Sequence, residues 1–450
     1  MTEAIAPQLV GLLERLIGAP LPVRIRAWDG SEAGAPAEPG TPVAVIRHRR
    51  ALRRLLWNPG ELGLARAFVA GELDVEGDLA DGLRRFWRLA KQRGGAGLTA
   101  AQRLEAVRLA LRLGVVGSRP APPASEAQLA GRLHSKLRDR AAISYHYDLS
   151  NDFYQLLLDP HMAYSCGYWT ADPAQDPGYQ VVDAQRDKLD LICRKLDLRP
   201  GMRLLDVGCG WAALLIHAAT HYGVTATGVT LSAEQRGFGT ARVAELGLSD
   251  RVEIRVQDYR EIPDPPFDAI SSIEMGEHVG QDNYPSYAAA LHRLLRPQGR
   301  LLLQQMSRGA AGADGSPGGG ELIERYVAPD MYMRPLGETV AMLEQAGHEV
   351  VDVHSLREHY VWTVLPWLET LRERREEAIA LVGAEQYRVW TLYLAGAALA
   401  FEENRMGVHQ ILTVHPADTG ASGLPRARPD ILGDHQPPSS QETRECCGRL

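Results

Sequence analysis

The 450-residue sequence has little cysteine and no long apolar run, and both absences narrow the class of protein. No apolar stretch is long enough to span a bilayer, and the N-terminus has neither the basic nor the apolar region of a signal peptide. The five cysteines are odd in number and lack the paired spacing of a disulfide framework or a zinc site. They are Cys166, Cys193, Cys209, Cys446 and Cys447. We therefore expect a cytoplasmic protein with reduced thiols and no structural metal.

The composition and length are those of a folded globular protein with two domains or one elaborated domain. Apolar residues make up 45% and charged residues 23% of the chain, as in ordinary globular proteins. Its length exceeds the usual size of one domain. The net charge of −7 hides an asymmetry, because residues 1–140 carry 22 Lys and Arg against 14 Asp and Glu. The two parts of the chain are therefore expected to face different partners.

Most of the positive excess lies between Arg84 and Arg140. Three arginines alternate there with apolar residues in the pattern of an amphipathic helix, namely Arg103, Arg108 and Arg112 with Leu104, Val107, Leu109 and Leu111. Such a helix fits an anionic membrane surface. An ordinary surface helix with a solvated face has the same pattern. No nucleic-acid recognition motif accompanies the charge, so nucleic acid is not an expected partner.

Breaks in composition divide the chain into four expected segments. Residues 1–115 are predicted to form a small mixed domain, and residues 116–140 a Pro-rich basic linker. Residues 141–416 are predicted to form a larger domain, and residues 417–450 a disordered tail with few large apolar side chains. Within the first segment, we predict strands at Val23–Trp28 and Val43–His48 and helices after Ala51 and Leu79.

The larger domain alternates apolar strand-like runs with helical ones. This rhythm is typical of βαβ units, and it predicts an α/β fold of Rossmann-like type with a mostly parallel sheet, beside a smaller N-terminal α+β domain. The predicted strands are Arg203–Val207, Thr225–Thr230, Val252–Val256, Ala269–Ile273 and Arg300–Gln304. The Gly-rich segment 308–320 is expected to be a loop, either a cover over a site or an idle surface loop.

The segment Leu204–Trp211, LLDVGCGW, links the first of these strands to a helical run. Its glycines allow the backbone to approach a nucleotide-like ligand at a helix N-terminus. A dinucleotide site would add a third glycine and an acid after the second strand, but here the second strand runs into Thr230–Gln235, TLSAEQ. Asp258 and Tyr259 close the third strand, where a carboxylate and a ring could meet an adenine. Three consecutive strand ends thus predict one ligand crevice and disfavour NAD.

Four further motifs resemble those of the cyclopropane-fatty-acyl-phospholipid synthase family. They are Tyr145–Tyr154 (YHYDLSNDFY), Tyr164–Tyr168 (YSCGY), Gly228–Ser232 (GVTLS) and Glu277–Gly280 (EHVG). The resemblance covers roughly residues 20–415, in the same order and spacing. It implies an S-adenosylmethionine-dependent methyltransferase with a Rossmann-like catalytic domain, an N-terminal domain linked to phospholipid binding, a bound bicarbonate that serves as the base, and a homodimer.

Carried over by position, the resemblance assigns ten residues to the cofactor site. They are Tyr164, Ser165, Asp206, Gly208, Gly210, Thr230, Leu231, Gln235, Asp258 and Tyr259. It places bicarbonate between the backbone N–H of Cys166, the carboxylate of Glu277, which would accept its proton, and the hydroxyl of Tyr360. The ordinary alternatives are a packed thiol, a helix-capping acid and a core aromatic. The segment Tyr360–Trp367 reproduces the Tyr-to-Trp spacing of the family and favours the first interpretation.

Two positions depart from the family pattern. Leu302–Gln305 reads LLQQ where relatives have Leu-Leu-His, so Gln304 replaces a histidine. An amide donates and accepts hydrogen bonds but carries no charge near neutral pH, so we expect the base to be held or tuned differently. Ala400–Arg405 reads AFEENR where the pattern usually runs Ala-Phe-Arg, and we find no reason in the sequence for this exchange.

The reaction that the resemblance implies has two possible products. An isolated alkene that attacks a sulfonium methyl needs proximity, alignment and exclusion of water. Loss of a proton from the transferred methyl then closes a cyclopropane, whereas loss from the adjacent chain carbon leaves a branched alkene. Our leading hypothesis is cyclopropanation of unsaturated acyl chains in membrane phospholipids, with the basic N-terminal region on anionic headgroups. The alternatives are a C-methyltransferase that makes methylene- or methyl-branched chains and a non-catalytic module that binds lipid or cofactor.

Overall fold

The computed structural model describes residues 4–92, 99–127, 138, 150–309 and 320–427. Several features of the sequence analysis lie outside these residues. They are positions 145–149 of the first family motif, most of the Gly-rich segment, the side chain of Arg103, the tail from residue 428, and Cys446 and Cys447. The three cysteines within the described residues, Cys166, Cys193 and Cys209, are buried free thiols.

The chain divides into two units. One comprises Met1–Gln128, Gly319–Pro329 and Leu371–Ala400, and the other comprises Leu129–Gly318, Asp330–Thr370 and Phe401–Leu450. The two later segments of the first unit lie within residues 141–416, which were predicted to form one larger domain, and composition alone does not reveal that they join residues 1–128.

The first unit contains a four-stranded sheet in the order β2-β1-β3-β4. Its strands are β1 (Arg24–Arg26), β2 (Glu32–Gly34), β3 (Val43–Ile46) and β4 (Leu73–Glu76). Strand β1 pairs antiparallel with β2 and parallel with β3, and β4 pairs antiparallel with β3. Strands β1 and β3 lie within the two predicted strand segments.

Within its described residues 4–92 and 99–127, the same unit contains five helices. They are α1 (Ile5–Ile17), α2 (Arg50–Trp57), α3 (Glu61–Val69), α4 (Leu79–Gln92) and α5 (Ala100–Arg112). Helices α2 and α4 lie where helices were predicted. Helix α5 begins after Thr99, whose side chain accepts from the backbone N–H of Gln102 in a capping box. The amphipathic segment is therefore a helix with a defined N-terminus.

The second unit is built on a larger sheet, with seven strands in the order β11-β12-β9-β8-β5-β6-β7 and β10 paired to β9. The strands are β5 (Arg203–Val207), β6 (Thr225–Thr230), β7 (Val252–Val256), β8 (Phe267–Ile273), β9 (Leu295–Arg308), β10 (Arg334–Pro335), β11 (Glu349–Ser355) and β12 (Met406–Val414). Strands β5 to β9 pair parallel with their neighbours, and β12 runs antiparallel between β9 and β11. The predicted α/β fold with a mostly parallel sheet is confirmed.

Helices alternate with these strands. They are α6 (Asn151–Leu157), α7 (Val181–Lys195), α8 (Ala213–Tyr222), α9 (Ala233–Glu245), α10 (Tyr284–Leu294) and α11 (Leu336–Gln345). Two longer helices, α12 (Arg357–Glu373) and α13 (Arg375–Glu402), have residues in both units. Among the helices within the described ranges, none is both long enough and apolar enough to cross a membrane.

Strands β5 and β9 of the larger sheet are apolar on both faces, as expected for central strands covered by helices. Leu204 and Leu302 are buried in one core, whereas their chain neighbours Leu205 and Leu303 are buried in another. Polar side chains therefore collect where the strands end. Because β5 to β9 are parallel, their carboxyl ends lie along one edge of the sheet, where α/β proteins bind their ligands.

Candidate active site

The predicted glycine turn lies at the carboxyl end of β5. Gly208 and Gly210 have positive φ angles of 85° and 52°. A Cβ added to Gly208 would lie 2.7 Å from Cγ of Met275, so the turn has no room for a side chain there. Asp206, at the end of β5, is buried and accepts a hydrogen bond of 2.7 Å from the hydroxyl of Ser271. Burial raises the pKa of Asp206 to about 6.

The next two strand ends each form a local hydrogen-bonded cap. The Thr230 hydroxyl donates to Oε1 of Gln235 at 2.7 Å, and the Ser232 hydroxyl accepts from the backbone N–H of Gln235 at the start of α9. Leu231 lies half-buried between them. After β7, Asp258 forms an ion pair of 2.5 Å with Arg260. The structure thus brings the predicted second and third strand ends to the edge that carries the glycine turn.

The segment that contains Tyr164 and Ser165 is fixed by two buried polar side chains of α7. Nζ of Lys188 donates to the Ser165 hydroxyl at 2.8 Å, and Nε2 of Gln185 donates to the Ser165 carbonyl at 2.7 Å. The Tyr164 ring contacts the rings of Tyr154 and Trp367, with centroid distances of 5.6 and 5.5 Å. This segment therefore combines an aromatic cluster with a buried ammonium group. Lys188 is not among the site residues predicted from the sequence.

A carboxylate that the sequence analysis did not consider lies at the end of β8. Oε1 of Glu274 accepts from the backbone N–H of Cys166 at 2.9 Å and from Nε2 of Gln304 at 2.9 Å. Oε2 accepts from the hydroxyl of Tyr360 at 2.6 Å. Three of the four residues predicted to surround the base therefore do lie together, but they surround a carboxylate of the chain itself.

A signal for Glu274 is present in the sequence. It directly follows the predicted strand Ala269–Ile273, and the carboxyl end of a parallel strand is the usual place for a functional group in this fold. The family motif Glu277–Gly280 lies three residues later and drew the assignment to Glu277 instead.

Gln304 is buried on β9 and has a fixed orientation. Its Oε1 accepts from Nε2 of Gln410, directly opposite on β12, at 3.0 Å. Its Nε2 also lies 3.3 Å from the carbonyl oxygen of Cys166. The amide that replaces the family's histidine therefore presents its N–H groups to Glu274 and to Cys166.

Tyr360 is fixed by packing as well as by its hydrogen bond. Its ring lies 4.5 Å from that of Phe401, and its N–H donates to the Leu356 carbonyl in the first turn of α12. Arg357 donates to the carbonyl of Phe401 at 2.6 Å. The segment Ala400–Arg405, which departs from the family pattern, thus supports Tyr360 through Phe401, while its two glutamates have no evident role in the site.

Glu277 has different surroundings. It is buried on the short helical turn Gly276–His278, and Oε1 accepts from the backbone N–H of Met306. Oε2 has no hydrogen-bond donor among the residues that the structure describes. Burial and the nearby charge of Glu274 raise the pKa of Glu277 to about 8, so this carboxyl is mostly protonated at neutral pH.

The charges around Glu274 act in opposite directions. Burial raises its pKa, while the hydrogen bonds from Tyr360, Cys166 and Gln304 and the positive charge of Lys188 lower it, and the rise prevails. Burial also raises the pKa of the Cys166 thiol well above its ordinary value, and Glu274 adds to this effect. The contact of Cys166 with Glu274 is made by the backbone N–H, while the thiol stays protonated at neutral pH.

These contacts bear on the two small molecules that the resemblance implies. The glycine turn and the adjoining strand ends fit a nucleotide-like cofactor, because close backbone approach is possible there. The donors assigned to bicarbonate do not fit a second anion in the present arrangement. The Cys166 N–H and the Tyr360 hydroxyl already bind Glu274, and a further negative charge beside that carboxylate would be repelled.

Comparisons with known proteins indicate one family. The family model described as "Mycolic acid cyclopropane synthetase" matches residues 134–411. "Probable fatty acid methyltransferase" of Pseudomonas putida is 39% identical over 415 residues, which are 91% of this chain and 96% of that protein. "Cyclopropane-fatty-acyl-phospholipid synthase" of Escherichia coli strain K12 is 34% identical over 315 residues, 69% of this chain and 78% of that protein.

A solved structure extends the likeness to three dimensions. The mycolic acid cyclopropane synthase CmaA1, crystallised in complex with SAH and CTAB, is 32% identical with a TM-score of 0.57, and the match covers 61% of this chain and 97% of that one. Sequence, fold and the glycine turn after β5 thus lead to the same family. The chain belongs to the S-adenosylmethionine-dependent methyltransferases that include the cyclopropane-fatty-acyl-phospholipid synthases and the fatty acid methyltransferases.

Proposed function

We propose that this protein transfers the methyl carbon of S-adenosylmethionine to the cis double bond of an unsaturated acyl chain in a membrane phospholipid. The observation that carries the proposal is the pairing of a buried base with aromatic rings. Glu274 is hydrogen-bonded to Tyr360, whose ring contacts Trp367, and Trp367 contacts Tyr164. Aromatic faces stabilise a cation, and a carboxylate removes its proton. Methylation of an alkene produces a carbocation, which requires both stabilisation of its charge and a base that removes a proton.

The cofactor assignment rests on the glycine turn and on the SAH bound to the similar synthase. When bound, S-adenosylmethionine supplies the electrophilic methyl of its sulfonium. We assign its binding to the ten predicted residues, with the backbone of Gly208 and Gly210 close to the ligand and Tyr164 at the aromatic cluster. The remaining polar groups, at Asp206, Thr230, Gln235 and Asp258, keep the three strand ends in place through the hydrogen bonds and ion pair described above.

Cyclopropanation remains the first candidate for the product. Cys166, Gln304 and Tyr360 hold a carboxylate where the resemblance implies the base that closes the ring. A branched alkene is the second candidate, and the observation that favours it is Gln304. Because the amide cannot take up a proton, the base lacks a protonatable partner at this position and differs from that of the synthases with histidine.

Helix α5 supports binding to a membrane surface. Its side chains Leu104, Val107 and Leu111 share one face and are 49%, 49% and 61% exposed, although they are large and apolar. Arg108 and Arg112 on the same helix are also exposed. Exposed apolar residues beside arginines are typical of helices that lie on anionic membranes. We therefore propose peripheral association with the inner face of the membrane.

The proposal can be tested with purified protein, methyl-labelled S-adenosylmethionine and vesicles of dioleoyl phospholipid. Mass spectrometry of the released fatty acid esters should show one labelled carbon added per modified double bond. Hydrogenation under conditions that spare cyclopropane then separates the products, because only a branched alkene takes up hydrogen. If the protein binds SAH but transfers no label, it is a binding module and the proposed function is wrong.

A further inference from the structure

The groups expected to hold an external anion bind a side chain of the protein instead. We infer that Glu274 is an internal general base, and that this enzyme therefore works without bound bicarbonate. The inference rests on the proposed function, because it assigns the proton acceptor of the same reaction. It differs from the bicarbonate-based prediction of the sequence analysis, which gave Glu277 the role of accepting the bicarbonate proton.

The chemistry of the three donors around Glu274 supports this inference. A backbone N–H, an amide N–H and a phenol O–H reach Glu274 from three parts of the chain, at 2.9, 2.9 and 2.6 Å. All three are neutral donors that converge on one planar O–C–O edge. Bicarbonate and a side-chain carboxylate present this same edge, so either could occupy the position, but not both at once. The carboxylate is covalently attached and is present at every turnover.

The backbone conformation of residue 274 also supports the inference. Glu274 has a φ of 51°, in the left-handed region that residues other than glycine rarely adopt. Such a conformation is strained and persists where the surrounding structure imposes it, often at an active site. Here the conformation directs a carboxylate from the end of β8 to the donors on Cys166, β9 and α12.

The charges of the residues around Glu274 support the inference as well. Glu277 is mostly protonated at neutral pH, so it adds little negative charge beside Glu274, whose own pKa burial also raises. Lys188 is buried beside Ser165, and its positive charge favours an ionised Glu274. Gln304 completes the arrangement, because an amide can donate to a carboxylate but cannot take its proton. An amide at position 304, in place of histidine, therefore suits a carboxylate base at position 274.

The proposed step conserves atoms and charge. The π electrons of the alkene form the new bond to the methyl carbon, and the electron pair of the broken C–S bond stays on sulfur. The positive charge then lies on the acyl chain. Glu274 accepts a proton, and the electron pair of the broken C–H bond forms either the third bond of the cyclopropane ring or a carbon–carbon double bond. Protonated Glu274 afterwards releases its proton to water.

The test compares turnover in buffer stripped of carbon dioxide with turnover in the same buffer plus bicarbonate. We expect the unaltered protein to be equally active in both. Glu274→Gln should lose about 100-fold or more in turnover, the usual contribution of a general base, but should bind SAH as before. Glu245→Gln is the matched control, because Glu245 is exposed on α9 and away from the strand ends.

A second variant keeps the test decisive if glutamine disturbs the pocket. Glu274→Gly removes the carboxylate and suits the positive φ, so the fold should persist, and bicarbonate or formate should restore part of the turnover. The inference is wrong if the unaltered protein loses activity without bicarbonate, or if Glu274→Gln stays within a few-fold of it. If the unaltered protein transfers no methyl group in either buffer, the proposed function itself is wrong, and this inference with it.

Discussion

The candidate site has two parts that are built in different ways. The cofactor part, at the ends of β5, β6 and β7, contains a backbone turn and, after β6 and β7, side chains that bond to close neighbours in the sequence, namely Thr230 with Gln235 and Asp258 with Arg260. The base part, at the ends of β8 and β9, joins Cys166, Glu274, Gln304 and Tyr360, which are far apart in the chain.

This difference indicates which part of the site tolerates amino-acid substitutions. A backbone turn that approaches a nucleotide tolerates few substitutions, because glycine is needed for the conformation itself. A pocket of converging side chains needs only a complete set of donors and acceptors. In the base part, a side-chain carboxylate can therefore replace an external anion if the surrounding hydrogen-bond donors change as well. The cofactor part is unaffected by such a replacement. Substitutions in the two parts should accordingly have separable effects on cofactor binding and on turnover.

The largest separable effect after that of Glu274 is expected at Gly208. Gly208→Ala should weaken SAH binding about 10- to 100-fold, since strain at such a position costs about 1–3 kcal/mol and the new Cβ would press on Met275. Isothermal titration with SAH measures this loss. Gly201→Ala is the control, because Gly201 has nearly the same φ, 84°, but open space around it. Equal losses in both variants would show that backbone strain, not the turn's role in binding, is responsible.

A smaller effect is expected from Tyr360→Phe, which alters the base part alone. The hydroxyl lowers the pKa of Glu274, so its removal should raise that pKa. Because the base acts in its deprotonated form, turnover falls as the pH drops through the pKa, and this acidic limb should move to higher pH in the variant. SAH affinity should not change.

The pH dependence of turnover, measured beside that of Tyr222→Phe, checks this expectation. Tyr222 also donates to a carboxylate, Asp190, at 2.5 Å, so the control loses a comparable hydrogen bond elsewhere in the same unit. An acidic limb that stays in place in Tyr360→Phe would mean that Glu274 does not set it.

The same contrast explains how much could be predicted from the sequence. Strands β5, β6 and β7 have their predicted bounds, since their apolar runs end at clear turn residues, and the glycine turn follows from five consecutive residues. Cys166, Gln304 and Tyr360 were identified through family motifs. Glu274 was missed because the family motif three residues later drew the assignment to Glu277, and Lys188 was missed because its role depends on which side chains face it across the fold. The segments that join the first unit after residue 318 depend on distant contacts in the same way.

A still smaller effect separates the two acids on either side of Met275 and Gly276. Glu277→Gln should mainly change the pH dependence of stability. The pKa of Glu277 rises to about 8 on folding, so its protonated form favours the native state. That contribution is complete below the ordinary glutamate pKa and is lost as the pH rises through about 8. In the variant, the decline of stability between pH 5 and 8 should be shallower, by at most about 1.4 kcal/mol per pH unit.

Thermal or urea unfolding across this pH range measures the slope, and turnover measured on the same samples compares Glu277→Gln with Glu274→Gln. A loss of turnover in Glu277→Gln as large as that in Glu274→Gln would break the distinction between a structural and a catalytic acid. It would return Glu277 to the role that the family motif predicts.

The smallest expected effect lies outside both parts of the site and serves to isolate them. Replacing Arg108 and Arg112 of α5 by Gln should weaken binding to anionic vesicles about fivefold per arginine at low salt, and less at high salt, because salt screens the attraction. Both residues belong to the first unit, whereas the cofactor and base parts belong to the second. SAH affinity and turnover on detergent-dispersed lipid should therefore stay unchanged. Arg251→Gln, an exposed arginine of the second unit, is the control. Vesicle binding with the same salt dependence in the double variant would mean that α5 is an ordinary solvated helix, and the apolar face of Leu104, Val107 and Leu111 would then need another partner.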